Sequence, residues 1–167
     1  MTVRDAEPDD LPSVLAIYND VLTSSTAIYR DEPATVEWYR DWWAARLGMG
    51  YPIIVATDET GVCGFATFGD FRAWPGYRFT VEHSVHVRRD QRGRGTGTAL
   101  VRELIARAAR LGKHVMVGGV DADNLASRRF HARLGFVEVA HFREVGFKFD
   151  RWLDLVFLQR TLVDDDR

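Results

Sequence analysis

The chain has 167 residues, one domain's worth and enough for a real core, and 46% of them are hydrophobic, with ten Phe, five Trp and five Tyr. That composition excludes a disordered chain, and a formal net charge of −2 gives no global pull toward nucleic acid. The single Cys63 excludes an internal disulfide or a cysteine-rich zinc site and fits a reducing compartment.

Met1 to Asp5 runs straight into charged residues, so no signal peptide is expected. No apolar run approaches the roughly 20 residues that span a bilayer. A soluble, cytoplasmic protein is the expectation. Val3-Arg4 predicts a short first strand. Asp9 or Asp10 caps a helix with Pro12 in its first turn and Val14, Leu15, Tyr18 and Leu22 on one apolar face. Ser24 to Pro33 reads as a loop. Thr35 caps a second helix whose Trp38, Trp42, Ala45 and Tyr39, Trp43, Leu47 form a broad aromatic stripe, suited to core or dimer surface.

Pro52 and the turn Asp58 to Gly61 bracket a strand at Ile53–Ala56, and Val62–Phe68 returns as its hairpin partner. Trp74-Pro75-Gly76-Tyr77 is a turn before a long strand, Phe79–Val87, with Phe79, Val81, Val85 and Val87 on one face. A glycine loop follows, then a helix whose Ala99, Leu100, Val101, Leu104, Ile105 and Ala108 recur at helical spacing until Gly112. A strand at His114–Val120, a helix near Asn124–Leu134 stopped by Gly135, and two strands at about Val137–Phe142 and Leu153–Leu158 complete the pattern. A charged tail runs from about 163. With no linker or repeat, residues 1–167 read as a single mixed α/β domain.

The loop Arg92-Gly93-Arg94-Gly95-Thr96-Gly97 stands between strand and helix, an arrangement that aims several backbone N–H groups at one anion. It is not a Walker-A loop, because Gly97-Thr98-Ala99 carries no lysine. A dinucleotide-binding loop should lie early in a βαβ unit with an acid about 20 positions on; this loop is mid-chain, and Lys113-His114-Val115-Met116 offers none. Arg88, Arg89, Arg92 and Arg94 add charge suited to a pyrophosphate or a 3′-phosphate. A phosphorylated ligand is expected here.

Arg-x-x-Gly-x-Gly after Val85-His86-Val87 resembles the acetyl-CoA pyrophosphate loop of the GCN5-related N-acetyltransferases (GNAT). Asn124 to Phe136 looks like that family's late helix and following strand, and the order of elements matches over nearly the whole chain. The resemblance implies an acyl-CoA N-acyltransferase fold: an α/β (α+β) architecture with a mixed central sheet of about six to seven strands flanked by helices. It implies acetyl-CoA as cosubstrate, in a gap between two splayed strands. Val85, His86 and Val87 would make main-chain contacts to pantetheine, with Asn124 nearby. Arg92 and the run Gly93, Arg94, Gly95, Thr96, Gly97 and Thr98 would take the pyrophosphate.

Four further segments, Phe68–Arg72, Arg78–Val85, Gly112–Val117 and Gly146–Leu155, look like one subgroup, the phosphinothricin and methionine sulfoximine/methionine sulfone N-acetyltransferases. Glu82-His83-Ser84 and the run Lys148-Phe149-Asp150-Arg151-Trp152-Leu153-Asp154 are nearer the methionine-derivative branch. The implied substrate is a small amino-acid analogue acetylated on its α-amine, and the implied assembly is a homodimer. No nucleic acid, membrane or metal partner is expected. Acetylation of phosphinothricin, other amino acids or a peptide N-terminus is the alternative, and a non-catalytic acyl-CoA sensor is the rival of another class.

An α-ammonium must lose a proton before it attacks a thioester, and Glu82 stands where a base would lie. A surface salt bridge is its plain alternative. Simple alternation puts Glu82 and His83 on opposite faces, so a pocket lined by both requires a bulge. His131 occupies the place where many relatives carry a tyrosine acid for the leaving thiolate; a helix-surface histidine is the other reading. Arg72 is suited to the substrate carboxylate, with Ala73 and Trp74 shaping the side-chain pocket beside His83 and Ser84. Tyr29 is a weaker candidate for a wall.

Overall fold

A computed structural model describes residues 1–162, and the expected charged tail lies outside them. In chain order the elements are β1 (Thr2–Asp5), α1 (Leu11–Ser24), α2 (Val36–Gly48), β2 (Ile53–Asp58), β3 (Gly61–Asp70), β4 (Thr80–Val87), α3 (Thr96–Arg110), β5 (Val115–Asp121), α4 (Leu125–Arg133), β6 (Val137–Lys148) and β7 (Arg151–Thr161). They build one seven-stranded sheet of order β1-β2-β3-β4-β5-β7-β6. All neighbours are antiparallel except β4 and β5. No described helix is long and apolar enough to cross a membrane.

Alternation along β2 separates two cores. Ile54 and Ala56 face Leu100, Val101, Leu104 and Ala108 of α3, together with Leu134 and Phe136. Ile53 and Val55 face Val14, Ile17 and Val21 of α1 and Tyr39 and Trp43 of α2. Each helix thus buries one apolar stripe against one sheet face, the general solution for a layered fold. The Thr35 hydroxyl accepts from the Trp38 N–H and caps α2 as expected.

Two expectations need correction. The α2 stripe is narrower than its sequence implies: Tyr39 and Trp43 are buried, whereas Trp38 and Leu47 are 42% and 48% exposed. Trp38 instead takes the Arg30 guanidinium 4.2 Å above its ring. The last two strands are also longer than Val137–Phe142 and Leu153–Leu158. They meet at Phe149-Asp150, with φ of 53° and 56° at the two residues. Their alternation is hidden because β6 is an edge strand with Phe142, Val145 and Phe147 exposed and two register shifts.

The feature that matters for function lies at the parallel pair. β4 and β5 are paired only at Thr80, Val81 and Glu82 with Val115, Met116 and Val117. Beyond that point β4 stays on β3 through Val87, and β5 stays on β7 through Asp121. A gap therefore opens between Ser84–Val87 and Gly118–Asp121, with unpaired backbone groups along its β4 side.

Candidate active site

The glycine loop closes one end of this gap. Gly95 caps α3 with φ 87°, a left-handed conformation that glycine adopts without strain. Intrahelical bonding begins with the Ala99 N–H on the Gly95 carbonyl. The Thr96, Gly97 and Thr98 N–H groups are therefore left to face an anion.

A cavity of about 550 Å³ runs from this loop along β4. Of the residues expected to hold a cofactor, Val85, His86, Val87, Arg92, Gly93, Gly95, Thr96, Gly97, Thr98 and Asn124 line it; Arg94 does not. The Asn124 side-chain oxygen accepts from the Ser127 N–H and caps α4, which leaves its amide nitrogen for a ligand. Sequence reasoning missed Val21, Ser25 and Ala27, contributed by α1 and the loop behind it, and Gln91, Ala126, Ser127, Phe130 and Arg133. Only Arg133 and Phe130, at helical spacing from Ala126, carried a readable signal.

A smaller cavity of about 90 Å³ continues from the first, sharing Ala27, Val85, His86, Asn124 and Ser127 and ending at His83, Ser84, Gly118, Gly119 and His131. The expected bulge at Glu82-His83 is absent: β3 and β4 stay in register from Val81 to Val87, so the two side chains lie on opposite faces. Room comes from the facing strand instead. A Cβ on Gly118 would lie 2.9 Å from His83 Nε2, and one on Gly119 would lie 3.2 Å from Glu82 Oε1. The glycine pair gives each residue its own space, and nothing in the sequence set it apart from an ordinary strand.

His83 is buried, with no hydrogen-bond partner on either ring nitrogen among the described residues, and packs 5.2 Å from the His131 ring and 5.4 Å from Phe136. Burial and the neighbouring His131 push its pKa down to about 3, so it is neutral near pH 7. His131 is buried too, and its Nδ1 lies 2.8 Å from the Ser127 carbonyl. A carbonyl only accepts, so Nδ1 carries the hydrogen and Nε2 presents a lone pair. Burial also lowers the His131 pKa. Burial excludes the helix-surface reading of this histidine, and the lowered pKa favours its neutral form, which gives a proton only after taking one up.

Glu82 lines neither cavity. It is half-buried on the other face of the gap, where burial raises its carboxyl pKa and Arg72 opposes the rise. Arg72 lies 4.2 Å above the Phe71 ring and donates to the Phe71 carbonyl at 2.8 Å. Phe71 in turn meets Phe157 edge-on, and Phe157 meets Phe142. Arg72, Ala73 and Trp74 are all exposed, Trp74 at 77%, and none reaches either cavity. Glu82 and Arg72 lie on one side of the gap, whereas His83, Ser84 and the phosphate candidates other than Arg94 line the cavities on the other.

The Acetyltransferase (GNAT) family model matches residues 14–136, most of the chain. The chain belongs to the GNAT acetyltransferase family. This GNAT enzyme is an N-acetyltransferase that uses acetyl-CoA. It is similar to the L-methionine sulfoximine/L-methionine sulfone acetyltransferase of Pseudomonas paraeruginosa, at 49% identity over 96% of this chain and 94% of that protein. It is 38% identical to a phosphinothricin N-acetyltransferase of Alcaligenes faecalis, over 96% of this chain and 82% of the relative. Among solved structures, yncA from Salmonella typhimurium with its cofactor acetyl-CoA superimposes with a TM-score of 0.94 at 42% identity, covering 99% of this chain and 96% of that one.

Proposed function

We propose that this acetyltransferase transfers the acetyl group directly to the α-amine of a glutamate-like amino-acid analogue, L-methionine sulfoximine or L-methionine sulfone. The observation that carries the reading is the half-buried Glu82 on one face of a gap whose other face holds the long cavity, with the Arg72 guanidinium near enough to oppose the rise in its carboxyl pKa. One group suits an ammonium and the other a carboxylate, the two ends of an α-amino acid. The name of the 49% identical relative supports the choice of analogue.

In this reading acetyl-CoA lies in the 550 Å³ cavity, its pyrophosphate on the Thr96–Thr98 amides and its pantetheine along the unpaired side of β4. Glu82, directly or through a water, takes one proton from the α-ammonium. The nitrogen lone pair attacks the thioester carbonyl carbon, the C–S bond breaks as the tetrahedral intermediate collapses, and the proton shed by the acylated nitrogen balances the one taken up by the departing thiolate, leaving an amide and the free thiol of CoA. Cys63 lines neither cavity, and burial raises its thiol pKa, which favours direct transfer over an acyl-cysteine.

We read the chain as one catalytic domain that works in the cytoplasm on a small molecule, without nucleic acid or membrane. An apolar row on the edge hairpin, including Val145, Phe147 and Trp152, supports a homodimer. Light scattering of the purified protein tests the dimer, and a monomer at micromolar concentration overturns it.

A thiol-release assay with acetyl-CoA tests the substrate. Methionine sulfoximine and methionine sulfone should exceed phosphinothricin and ordinary amino acids in kcat/KM by about tenfold or more, since one or two pocket contacts decide such selectivity. Release with no free amino acid overturns this reading in favour of a peptide acceptor or a non-catalytic acyl-CoA sensor.

A further inference from the structure

The run Gly146-Phe147-Lys148 contributes no group to the chemistry above, yet it reaches the active site indirectly. Lys148 is buried, at 4% exposure. Its ammonium donates to three backbone carbonyls: Leu22 at 2.5 Å, Ser25 at 3.0 Å and Ile28 at 2.6 Å. Three N–H donors meet three acceptors, a match that no apolar side chain can supply. All three acceptors belong to the end of α1 and the loop that follows.

Two other contacts hold the same loop. Gly146, on the same face of β6, seats the Tyr29 ring so closely that a Cβ there would lie 2.3 Å from Tyr29 Cε2. The Thr26 hydroxyl donates to Asp121 at the end of β5. The loop so held is part of the site, because Ser25 and Ala27 line the long cavity and Ala27 also lines the smaller one.

We propose that Lys148 is a positioning residue for acetyl transfer: it fixes the Ser25–Tyr29 loop as a wall of the channel and of its reacting end, with Gly146 seating Tyr29. The proposal rests on acetyl-CoA occupying that channel, and its acceptor measurements rest on the substrate read above.

Hydrogen exchange and kinetics on full-length Lys148→Met, Lys148→Arg and Thr26→Val test it. In Lys148→Met, peptides over residues 22–30 should exchange about tenfold faster or more, while those of α3 and β5 stay as in the parent, because the loop loses charge-assisted bonds that the sheet does not share. The KM for acetyl-CoA should rise about tenfold while kcat changes less than threefold. Lys148→Arg should recover part of both effects. Thr26→Val, which leaves the buried ammonium intact, should show the same pattern in smaller measure, and it decides the matter if Lys148→Met does not fold. Loop exchange within twofold of the parent, or a loss of global stability with both Michaelis constants unmoved, overturns the proposal. A parent without amino-acid turnover whose variants still free the loop and weaken acetyl-CoA binding overturns the substrate reading alone.

Discussion

Glu82 and His131 stand on opposite faces of the same gap, and burial acts on them in opposite senses: it raises the carboxyl pKa and lowers that of the imidazole. A raised carboxylate is a better base toward an ammonium, and a neutral imidazole with a free Nε2 is an acceptor. On the mechanism proposed above, the resting site is equipped to remove protons, and His131 would protonate the thiolate only after accepting one. Glu82→Gln should lower kcat by about 10²–10⁴-fold, the usual range for general base catalysis, with acetyl-CoA affinity nearly intact by calorimetry. His131→Asn should cost about tenfold or less, since a thiolate already leaves readily. Unchanged turnover in the glutamine variant would remove Glu82 from the base's role.

Among the elements, the strand–loop–helix at Val85–Thr98 was the most legible, because its chemistry is local. Glycine stands where φ is 87°, and the first amides of α3 follow within three residues. Replacing Gly95 by Ala should cost about 1 kcal/mol through the left-handed backbone, lowering Tm by about 2–4 °C and weakening acetyl-CoA severalfold. Retained affinity would mean that the loop's shape is not what binds the pyrophosphate. The last hairpin was less legible for an equally local reason: Phe149-Asp150 turns at positive φ without the glycine or asparagine that marks such turns. Non-local facts were not legible at all. How far β4 and β5 stay paired, that Gly118 and Gly119 make room for His83 and Glu82, and that Lys148 meets carbonyls more than 100 residues earlier all depend on segments meeting in space.

At the scale of the whole molecule, the buried histidine links stability to pH. An unfolded histidine takes up its proton near pH 6.5, whereas native His83 stays neutral until about 3. Below pH 6.5 the unfolded chain therefore binds more protons, and stability falls with acidification by up to about 1.4 kcal/mol per pH unit for such a group. His131 adds in the same direction, and the raised pKa of Glu82 works against both. Urea midpoints measured between pH 7 and 5 should fall, and fall less steeply in His83→Phe. An identical slope in that variant would assign the effect elsewhere.

Among the described residues, strands β1–β4 and β5–β7 are joined laterally by three residue pairs at Thr80–Glu82 and by the Phe79 carbonyl, which accepts from the His114 and Val115 N–H groups. The sheet is thus two half-sheets on a short hinge, and a molecule lying in the wedge between them does more than react. On the binding mode proposed above, acetyl-CoA bonded to the free edge of β4 and packed on α4 would act as a splint across the seam, and each turnover would withdraw a structural member that the next must replace.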